Sequence, residues 1–327
     1  MTRSVLVTGG AGYIGSVVVE QLLARGEVPI VLDDLSTGHR AAIVPGVEFI
    51  QGNVGDRRVL SALFAGHSID AIMHFAAFAL VAESVADPAK YHANNVTAGR
   101  VLLETAVAAG VRRVIFSSSC TIYGARGAEP IAEDAPIAPL NPYGETKAEF
   151  EALLGRVART DGVASVSLRY FNAAGASARC GEDHEPETHL IPNVLRVARG
   201  QAPALEVYGT DYPTSDGTAI RDYIHVLDLA DAHIRALDAA PNGAVAVNLG
   251  TGAGHSVLAV VAAARELTGH AIPTVLGPPR PGDPPCLVAA RGRAERLLGW
   301  RPTHSSLEEI LASAWDWHRA HPRGYRN

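Results

Sequence analysis

A glycine-rich loop near the N-terminus places the strongest constraint on the fold. The β-branched run Ser4–Thr8 leads directly into Gly-Gly-Ala-Gly-Tyr-Ile-Gly at positions 9–15, and a helical pattern follows. The missing side chains at Gly9 and Gly12 let the backbone turn tightly and approach a pyrophosphate, whose charge the helix N-terminus favours. Gly15 lets helix and strand pack closely. We therefore expect a strand, loop and helix that together hold a dinucleotide.

The alternation of short β-branched runs with longer helical patterns continues to about Leu168. Strands are predicted at Ser4–Thr8, Val28–Leu32, Val47–Gln51, Ala71–Phe75, Arg113–Ser117 and Ala164–Arg169. Helices are predicted at Ile14–Arg25, Arg57–Phe64, Ala89–Ala109 and Tyr143–Thr160. Strands joined by helical crossovers form parallel sheets covered by helices. The pattern predicts an α/β fold with a doubly wound parallel sheet of the Rossmann type, which binds ligands at the carboxyl ends of its strands.

Beyond Asn172 the sequence changes to loops rich in Gly, Pro and charge, joined by scattered helices and short strands. At 327 residues the chain exceeds the usual size of a single core. We expect an NAD-type nucleotide domain over residues 1–172 and a smaller α/β substrate domain over 173–327. The stretch 221–250 has the pattern of strand, helix and strand, and we expect it to return to the first domain.

Charge and hydropathy argue against several classes of function. Lys and Arg number 28 against 34 Asp and Glu, a net charge of −6 without basic runs, so no nucleic-acid surface is expected. The longest apolar stretch, Ala71–Ala82, contains His74 and is shorter than the ~20 residues that a membrane helix needs. No signal-peptide pattern is present, and the three cysteines are odd in number and widely spread. We expect a cytoplasmic protein with reduced thiols and no membrane contact.

His184 and His189, in the sequence His-Glu-Pro-Glu-Thr-His, have a spacing that invites comparison with metal ligands. Pro186 lies between them and disfavours a helix that would put both imidazoles on one face. We expect a loop here, and no metal.

Asp33 stands at the end of the second predicted strand. A carboxylate there would accept hydrogen bonds from an adenosine ribose and repel a 2′-phosphate, so NAD is predicted over NADP. Asn53, at the end of the third strand, could turn its amide toward the adenine edge. A turn residue in Gly52–Asn53 is an equally good interpretation, and Asp34 is interpreted as a solvated charge.

Ser119, Tyr143 and Lys147 form the candidate catalytic set. Ser119 follows the fifth predicted strand, and Tyr143 and Lys147 stand at i and i+4 at the head of a helix, on one face. A phenol with a reference pKa near ~10 is a poor base, but a neighbouring ammonium and the positive nicotinamide ring lower that pKa. Ser119 could donate or relay a hydrogen bond at the reacting oxygen. This set suits removal of a hydroxyl proton while a hydride leaves the same carbon.

These motifs resemble the extended short-chain dehydrogenase/reductase family and, within it, the UDP-glucose 4-epimerases, along nearly the whole chain and in the same order. The matching stretches are His74–Ala77, Phe116–Ser119, Asn141–Gly144, Leu168–Asn172, Gly181–Pro192, Asp216–His225 and Asn248–Gly250. The resemblance implies an isomerase that inverts C4 of a UDP-hexose, UDP-galactose to UDP-glucose, through a 4-keto sugar. It also implies that NAD stays tightly bound and is regenerated in each cycle.

The same resemblance assigns roles to residues. Tyr143 would be the base, Lys147 would lower its pKa and hold the nicotinamide ribose, and Ser119 would bond the substrate oxygen. Implied cofactor contacts are Gly9, Gly12, Tyr13, Ile14, Asp33, Asn53, Val54, Phe75, Ala76, Ala77, Asn95, Ser117, Tyr143, Lys147 and Tyr170. Implied substrate contacts are Ser119, Tyr143, Asn172, His189, Leu190, Tyr208, Arg221, Arg280, Asp283 and Leu287. The arginines would hold the diphosphate and Tyr208 would face uracil. A homodimer through helices Ala89–Ala109 and Tyr143–Thr160 is implied as well.

Several positions depart from patterns frequent in the family. Ala79 stands where many members carry lysine, Asn53 where aspartate is frequent, and Leu287 where a large aromatic often limits the sugar pocket. A 4-epimerase of another UDP-sugar, an N-acetylhexosamine, pentose or uronate, is therefore the alternative. A nucleotide-sugar dehydratase is less favoured, because Cys120 and Thr121 stand in place of an acidic pair. A non-catalytic NAD-binding protein would be expected to lack the tyrosine and lysine pair.

Overall fold

A seven-stranded parallel sheet forms the centre of the molecule. The computed structural model describes residues 2–125, 127, 129–239, 241–280 and 283–326. The strands are β1 (Ser4–Thr8), β2 (Val28–Asp33), β3 (Glu48–Gln51), β4 (Ala71–His74), β5 (Arg113–Ser119), β6 (Ala164–Tyr170), β7 (Asn172–Ala174), β8 (Leu205–Tyr208), β9 (Ile220–Arg221), β10 (Tyr223–His225), β11 (Ala244–Leu249), β12 (His255–Ser256), β13 (Thr274–Gly277) and β14 (Cys286–Leu287). The central sheet has the order β11-β6-β5-β4-β1-β2-β3, with every neighbouring pair parallel.

Helices cover both faces of this sheet. They are α1 (Tyr13–Ala24), α2 (Arg57–Gly66), α3 (Val81–Ala86), α4 (Pro88–His92), α5 (Gly99–Ala108), α6 (Pro142–Asp161), α7 (Leu190–Ala198), α8 (Val226–Asp238), α9 (Val257–Thr268), α10 (Gly292–Leu298) and α11 (Leu307–Ala320). One face packs on α1 and α8, with Val18 and Leu229 in its core. The other packs on α2, α5 and α6, with Leu103 and Leu154 in its core. The predicted doubly wound α/β fold is confirmed.

The strand order reverses between β1 and β4. From β1 the chain builds outward through β2 and β3, and it then returns to β4 and continues on the other side through β5 and β6. The connections that leave the carboxyl ends of β1 and β4 therefore run in opposite directions and leave a crevice between them. Ligands of doubly wound sheets bind in this crevice.

The predicted elements of the first half agree with the structure except in one helix. β1 has the predicted bounds, and β5 runs past the predicted end at Ser117 to include Ser119. Helical backbone does run from Pro88 to Ala108, close to the predicted Ala89–Ala109, but a π-helical segment, Ala93–Ala98, separates α4 from α5. Wide turns of this kind are rare and often occur at functional sites. Asn95, one of the implied cofactor contacts, is buried within this segment.

The second part of the chain is built around α7, α9 and α11, which share a core with β8 and β10. Small sheets join β8 to β13, β7 to β10, and β9 to both β12 and β14. β11 pairs with β6 over its whole length, so this late segment belongs to the central sheet. The domain limits given above stay a prediction. Within the described ranges, no helix combines the length and the apolar character needed to cross a bilayer.

A buried ion pair ties α6 to the sheet. Nε and Nη2 of Arg169, on β6, donate to the two carboxylate oxygens of Glu151 at 2.9 and 2.5 Å. Ser118, on β5, donates to the same carboxylate at 2.6 Å, and Arg169 also donates to the Tyr123 hydroxyl at 2.7 Å. The two charged side chains are only 5% and 10% exposed. Because each charge is buried, removing one partner leaves the other without compensation.

Replacing Glu151 with Gln should lower the free energy of unfolding by about 3–5 kcal/mol, the usual cost of an unpaired buried charge. Glu104→Gln is the matched control. It removes an exposed pair with Arg57, of which the side chains are 62% and 50% exposed, and should cost no more than about 1 kcal/mol. Urea unfolding of both variants measures the difference. An equal loss of unfolding free energy in the two variants would show that the buried pair does not anchor α6.

Candidate active site

The glycine loop and the segment after β4 are packed directly against each other. Gly9 has a φ of 73°, and a Cβ atom there would lie 2.5 Å from the backbone nitrogen of Ala76. The backbone N–H groups of Phe75 and Ala76 both donate to the Thr8 carbonyl, at 2.9 and 3.1 Å. A Cβ at Gly15 would lie 2.2 Å from the Gly9 carbonyl oxygen. The implied cofactor contacts Gly9, Phe75 and Ala76 are therefore brought together, and glycine is required for the approach.

Asp33 is buried at the end of β2 and is joined to the glycine loop. Its Oδ2 accepts from the Ala11 N–H at 2.9 Å and its Oδ1 from the Leu35 N–H at 2.8 Å. Burial raises the pKa of this carboxyl, and the two backbone hydrogen bonds act against that rise. A carboxylate oxygen can accept more than one hydrogen bond, so both oxygens keep capacity for ribose hydroxyls. This geometry is compatible with the predicted role of Asp33, which is to accept hydrogen bonds from an adenosine ribose.

Asn53 lies in a turn rather than facing an open site. Its Nδ2 donates to Asp34 at 2.9 Å, and its Oδ1 accepts from the Gly55 N–H at 2.8 Å. The amide oxygen is therefore used within the turn, as in the second of the two interpretations above, and the amide nitrogen joins the turn to the segment after β2. Asp34 is partly buried and accepts this bond, so it is more than a solvated charge. Val54, the next implied contact, is buried.

Asn95 connects the cofactor side of the crevice to the catalytic helix. Its Oδ1 accepts from the Phe78 N–H at 2.9 Å, and its Nδ2 donates to the Phe78 carbonyl at 3.0 Å and to Thr146 Oγ1 at 3.1 Å. Phe78 directly follows the implied contact Ala77, and Thr146 directly precedes Lys147. Asn95 therefore fixes the loop after β4 against α6 through its side chain.

The three candidate catalytic residues lie at the junction of β5 and α6. Asn141 caps α6, accepting from the Gly144 N–H at 2.9 Å, and this cap places Tyr143 in the first helical turn. Lys147 is buried, and its Nζ donates to the Ser117 carbonyl at 2.7 Å and lies 5.7 Å from the centre of the Tyr143 ring. Ser119 is buried at the end of β5.

Thr121 orients Ser119 toward Tyr143. The backbone N–H and the hydroxyl of Thr121 both donate to Ser119 Oγ, at 3.2 and 3.0 Å. Since its oxygen already accepts these bonds, the Ser119 hydroxyl proton is directed elsewhere, and a hydrogen bond from Ser119 lowers the pKa of Tyr143. Sequence reasoning missed this role of Thr121, and only its position two residues after Ser119 pointed to it.

Burial dominates the acid–base properties of this set. It raises the pKa of Tyr143 to about 12 despite the hydrogen bond from Ser119. It lowers the pKa of Lys147 to about 7, against the attraction of Glu151. In the protein alone, burial therefore determines the phenol pKa; the expected lowering by Lys147 together with the nicotinamide ring stays a prediction. The physical reason is that the same dry environment disfavours the charge of both groups.

Tyr170 and Ser117 complete the wall beside α6. The Tyr170 hydroxyl is buried against His233 Nε2, and a hydrogen bond with Ser117 lowers the pKa of Tyr170, although burial raises it by more. The Phe75 ring packs on the same His233 ring, with centroids 4.7 Å apart. Tyr170 and Phe75, two implied cofactor contacts, therefore both contact one buried histidine, which was not predicted.

Two arginines of the implied substrate set are held by neighbours. Arg221 donates through Nη1 to the Ile220 and Pro284 carbonyls, both at 2.9 Å, and pairs through Nη2 with Asp283 at 3.0 Å. Arg280 stacks on Tyr208, with the guanidinium carbon 4.1 Å from the ring centre.

Leu287 and Asn172 are also placed by backbone pairing in this part of the chain. Leu287 lies opposite Arg221 in the β9 and β14 pair and is buried. Asn172, at the start of β7, donates its N–H to the Asp222 carbonyl at 2.9 Å. Asp222, not singled out before, is a buried carboxylate that accepts from the Thr251, Gly252 and Ala289 N–H groups.

His189 precedes α7, and Leu190 is its first residue. The stretch from His184 to His189 is a loop, as predicted. Absence of a helix was the ground for expecting no metal there, but the loop itself brings the two rings together, with centroids 5.2 Å apart. Glu182 and Glu187 join them, and neither glutamate was singled out from the sequence.

Gly9→Ala should abolish NAD retention, because the added Cβ would collide with the backbone of Phe75 and Ala76, against which the glycine loop packs. Gly26→Ala is the matched control, since Gly26 also has a positive φ, 80°, but has nothing within 4 Å of an added Cβ. It should lose only about 1–2 kcal/mol of stability to backbone strain and keep its NAD. NAD released from each purified variant by denaturation can be quantified by absorbance. Equal NAD contents would show that the close approach at Gly9 is unimportant.

The chain matches the NAD dependent epimerase/dehydratase family over residues 5–250. It is 47% identical over 326 residues to a UDP-glucose 4-epimerase of Lacticaseibacillus casei, covering 98% of each chain. The solved UDP-glucose 4-epimerase of Brucella ovis in complex with NAD is 44% identical, with a TM-score of 0.92 over 96% of this chain and 98% of that one. The UDP-glucose 4-epimerase of Bifidobacterium longum, in complex with NAD+ and UDP, is 39% identical, with a TM-score of 0.94 over 98% of this chain and 99% of that one. These matches confirm the resemblance inferred from the motifs: the chain belongs to the NAD dependent epimerase/dehydratase family.

Proposed function

We propose that this chain is an NAD-dependent epimerase that inverts C4 of a UDP-hexose and interconverts UDP-galactose and UDP-glucose. The observation that carries the proposal is the meeting of Ser119, Tyr143 and Lys147 at the carboxyl end of β5, which only β4 separates from β1 and its glycine loop. The similar proteins are UDP-glucose 4-epimerases, and the two solved examples bind NAD, one of them together with UDP.

The residues at the crevice fit NAD. Gly9 and Gly15 leave the backbone bare where a Cβ would collide, and Asp33 presents a buried carboxylate at the end of β2. A pyrophosphate would lie at the N-terminus of α1, the ribose hydroxyls at Asp33, and the nicotinamide ribose near Lys147. When bound, NAD supplies an acceptor and donor of hydride at the substrate C4.

Tyr143 handles the proton of the C4 hydroxyl. Burial holds its pKa at about 12, so the phenolate needs a positive charge beside it in order to form near neutral pH. Lys147 Nζ, 5.7 Å from the ring centre, supplies such a charge when protonated. Ser119 directs its hydroxyl proton toward the Tyr143 hydroxyl. The proton goes from the C4 oxygen to Tyr143 and later returns to that oxygen, so a 4-keto sugar forms in between and no group is lost.

The second part of the chain supplies the anchor about which the 4-keto sugar can turn. The Arg221 side chain is 12% exposed and is held by two carbonyls and Asp283, so its guanidinium is already oriented for a diphosphate. The aromatic ring of Tyr208, stacked on Arg280, suits a flat base such as uracil. If the diphosphate is held, the 4-keto sugar can turn and accept the hydride at C4 on either face.

The same geometry disfavours a dehydratase. Elimination needs an added acid and base next to the serine, and those positions hold Cys120 and Thr121. Burial raises the pKa of the Cys120 thiol to about 12, and Thr121 donates to Ser119. Neither side chain is a useful acid at neutral pH.

A homodimer through α5 and α6 and a cytoplasmic location are further parts of this proposal. α5 and α6 lie side by side on one face of the sheet, in the segments implied by the resemblance. Their outward charges include Arg100 and Glu149, 3.9 Å apart, which suits a polar rather than an apolar interface. Analytical ultracentrifugation giving a monomer mass would contradict the dimer. Fractionation of the source cells tests the location.

The purified chain should convert UDP-galactose to UDP-glucose without added NAD, since a regenerated cofactor stays bound. Tyr143→Phe should retain NAD but lose turnover by roughly 10²–10⁴-fold, the contribution of a positioned acid–base group. Coupled detection of UDP-glucose measures the turnover of the unaltered chain and of the variant. Absence of conversion by the unaltered chain, with or without NAD, would favour other reactions of the family; a fully active Tyr143→Phe variant would exclude Tyr143 as the base.

Leu287 should allow an N-acetylated sugar to enter, because a leucine occupies less of the pocket than a large aromatic. The unaltered chain is then expected to act on UDP-N-acetylgalactosamine, and Leu287→Tyr should depress that activity roughly tenfold or more relative to UDP-galactose. Turnover of both substrates by both proteins gives the ratio, and the urea midpoint checks that the larger side chain is tolerated. An unchanged ratio would remove Leu287 as a determinant of sugar size.

A further inference from the structure

Four side chains of the loop that precedes α7 converge on one point. They are Glu182, His184, Glu187 and His189, and one ligand atom from each lies within 4.8 Å of all the others. His189 Nδ1 is 2.8 Å from Glu182 Oε1 and 2.9 Å from Glu187 Oε1. His184 Nδ1 is 3.4 Å from Glu182 Oε1 and 3.6 Å from Glu187 Oε2.

The two carboxylates are buried without a fixed cation. The side chains of Glu182 and Glu187 are each 6% exposed. Among the residues that the structure describes, no arginine or lysine lies within ion-pair distance of either, and only the two imidazoles do. A pair of buried negative charges needs positive charge nearby.

Both imidazoles point a ring nitrogen at the two carboxylates. His189 Nδ1 is hydrogen-bonded to Glu187 Oε1 at 2.9 Å. His184 Nδ1 is fully buried and makes no hydrogen bond. Each Nδ1 faces two carboxylates, although a protonated nitrogen has only one hydrogen to give. Both rings direct the same nitrogen inward, toward the oxygens of Glu182 and Glu187.

The nitrogen–oxygen separations in this cluster are close to those around tetrahedral zinc. Bonds of about 2.0–2.1 Å to nitrogen and oxygen put neighbouring ligand atoms about 3.3 Å apart around a tetrahedral ion. The nitrogen–oxygen separations, measured to one oxygen of Glu182 and to both oxygens of Glu187, are 2.8, 2.9, 3.4 and 3.6 Å and lie on both sides of this value. Imidazole and carboxylate ligands both suit Zn²⁺.

We propose that Glu182, His184, Glu187 and His189 bind one Zn²⁺ ion. With four protein ligands the site is closed, which is typical of structural rather than catalytic zinc. The ion would fix the loop at both ends: the His184 ring meets the edge of Tyr13, with centroids 6.3 Å apart, and His189 directly precedes α7. The His189 side chain is 44% exposed, so the ring retains an open surface for the implied substrate contact while Nδ1 faces the cluster.

The test measures the metal content of the chain purified without a polyhistidine tag. After dialysis against Zn²⁺ and removal of excess ion, mass spectrometry of the metal should find about one equivalent per chain. His184→Gln should weaken Zn²⁺ binding roughly 100-fold or more. His304→Gln is the matched control: it removes an exposed histidine whose Nδ1 lies 2.5 Å from Glu309, and should leave zinc binding unchanged.

A second measurement does not depend on the fold of a variant. The unaltered chain, stripped by a chelator and titrated with Co²⁺, should develop the strong visible bands of tetrahedral cobalt, and Zn²⁺ should abolish them. Its unfolding temperature should rise on adding Zn²⁺ and fall again with chelator. Zinc content equal in His184→Gln and the unaltered chain, or the absence of tetrahedral cobalt bands, would overturn the proposal. Both readouts are independent of epimerase activity, so they distinguish this site from failure of the proposed function.

Discussion

The close approach of the glycine loop to the segment after β4 is the constraint on which the site depends. Gly9 has no side chain, and a Cβ atom there would lie 2.5 Å from the backbone nitrogen of Ala76. The N–H groups of Phe75 and Ala76 both donate to the Thr8 carbonyl. The loops that leave β1 and β4 are therefore fixed to each other by backbone groups. Asp33 extends the arrangement to β2 by accepting from Ala11. Because the cradle is mainly backbone, a short run of glycines after a strand is sufficient to predict it.

The candidate catalytic side chains depend on a helix that is held at two points along its length. Asn141 caps the first turn of α6, and Glu151, further along the same helix, is tied to Arg169 on β6. Lys147 lies between these anchors, so its position relative to Tyr143 is fixed. The burial that makes this possible also disfavours charge on both groups, with pKa values of about 12 for the phenol and about 7 for the amine. In the proposed mechanism, a rigid, dry site therefore makes proton removal by Tyr143 depend on nearby positive charge, from protonated Lys147 and from bound NAD+.

Local patterns predicted the parts of the fold that are set within a few residues of sequence. The strands of the central sheet, the glycine loop and the Tyr143 and Lys147 pair follow from periodicity and spacing. Contacts between distant residues could not be predicted in this way: nothing near Glu151 points to Arg169, and the π-helical segment around Asn95 has no distinct apolar period. The raised pKa of Tyr143 was missed for the same reason, since burial is a property of the packed structure.

The loop from Glu182 to His189 shows how a correct local prediction can still miss a site. Pro186 does prevent a helix, but ligand atoms need only meet in space, and an irregular backbone brings four of them within 4.8 Å. The same loop touches Tyr13 of the cofactor loop at His184 and leads into α7 at His189. A zinc ion held there would join the glycine loop, through Tyr13, to the start of α7. The spacing between the hydride acceptor and the diphosphate anchor would then depend on a bound ion as well as on packing between the two parts.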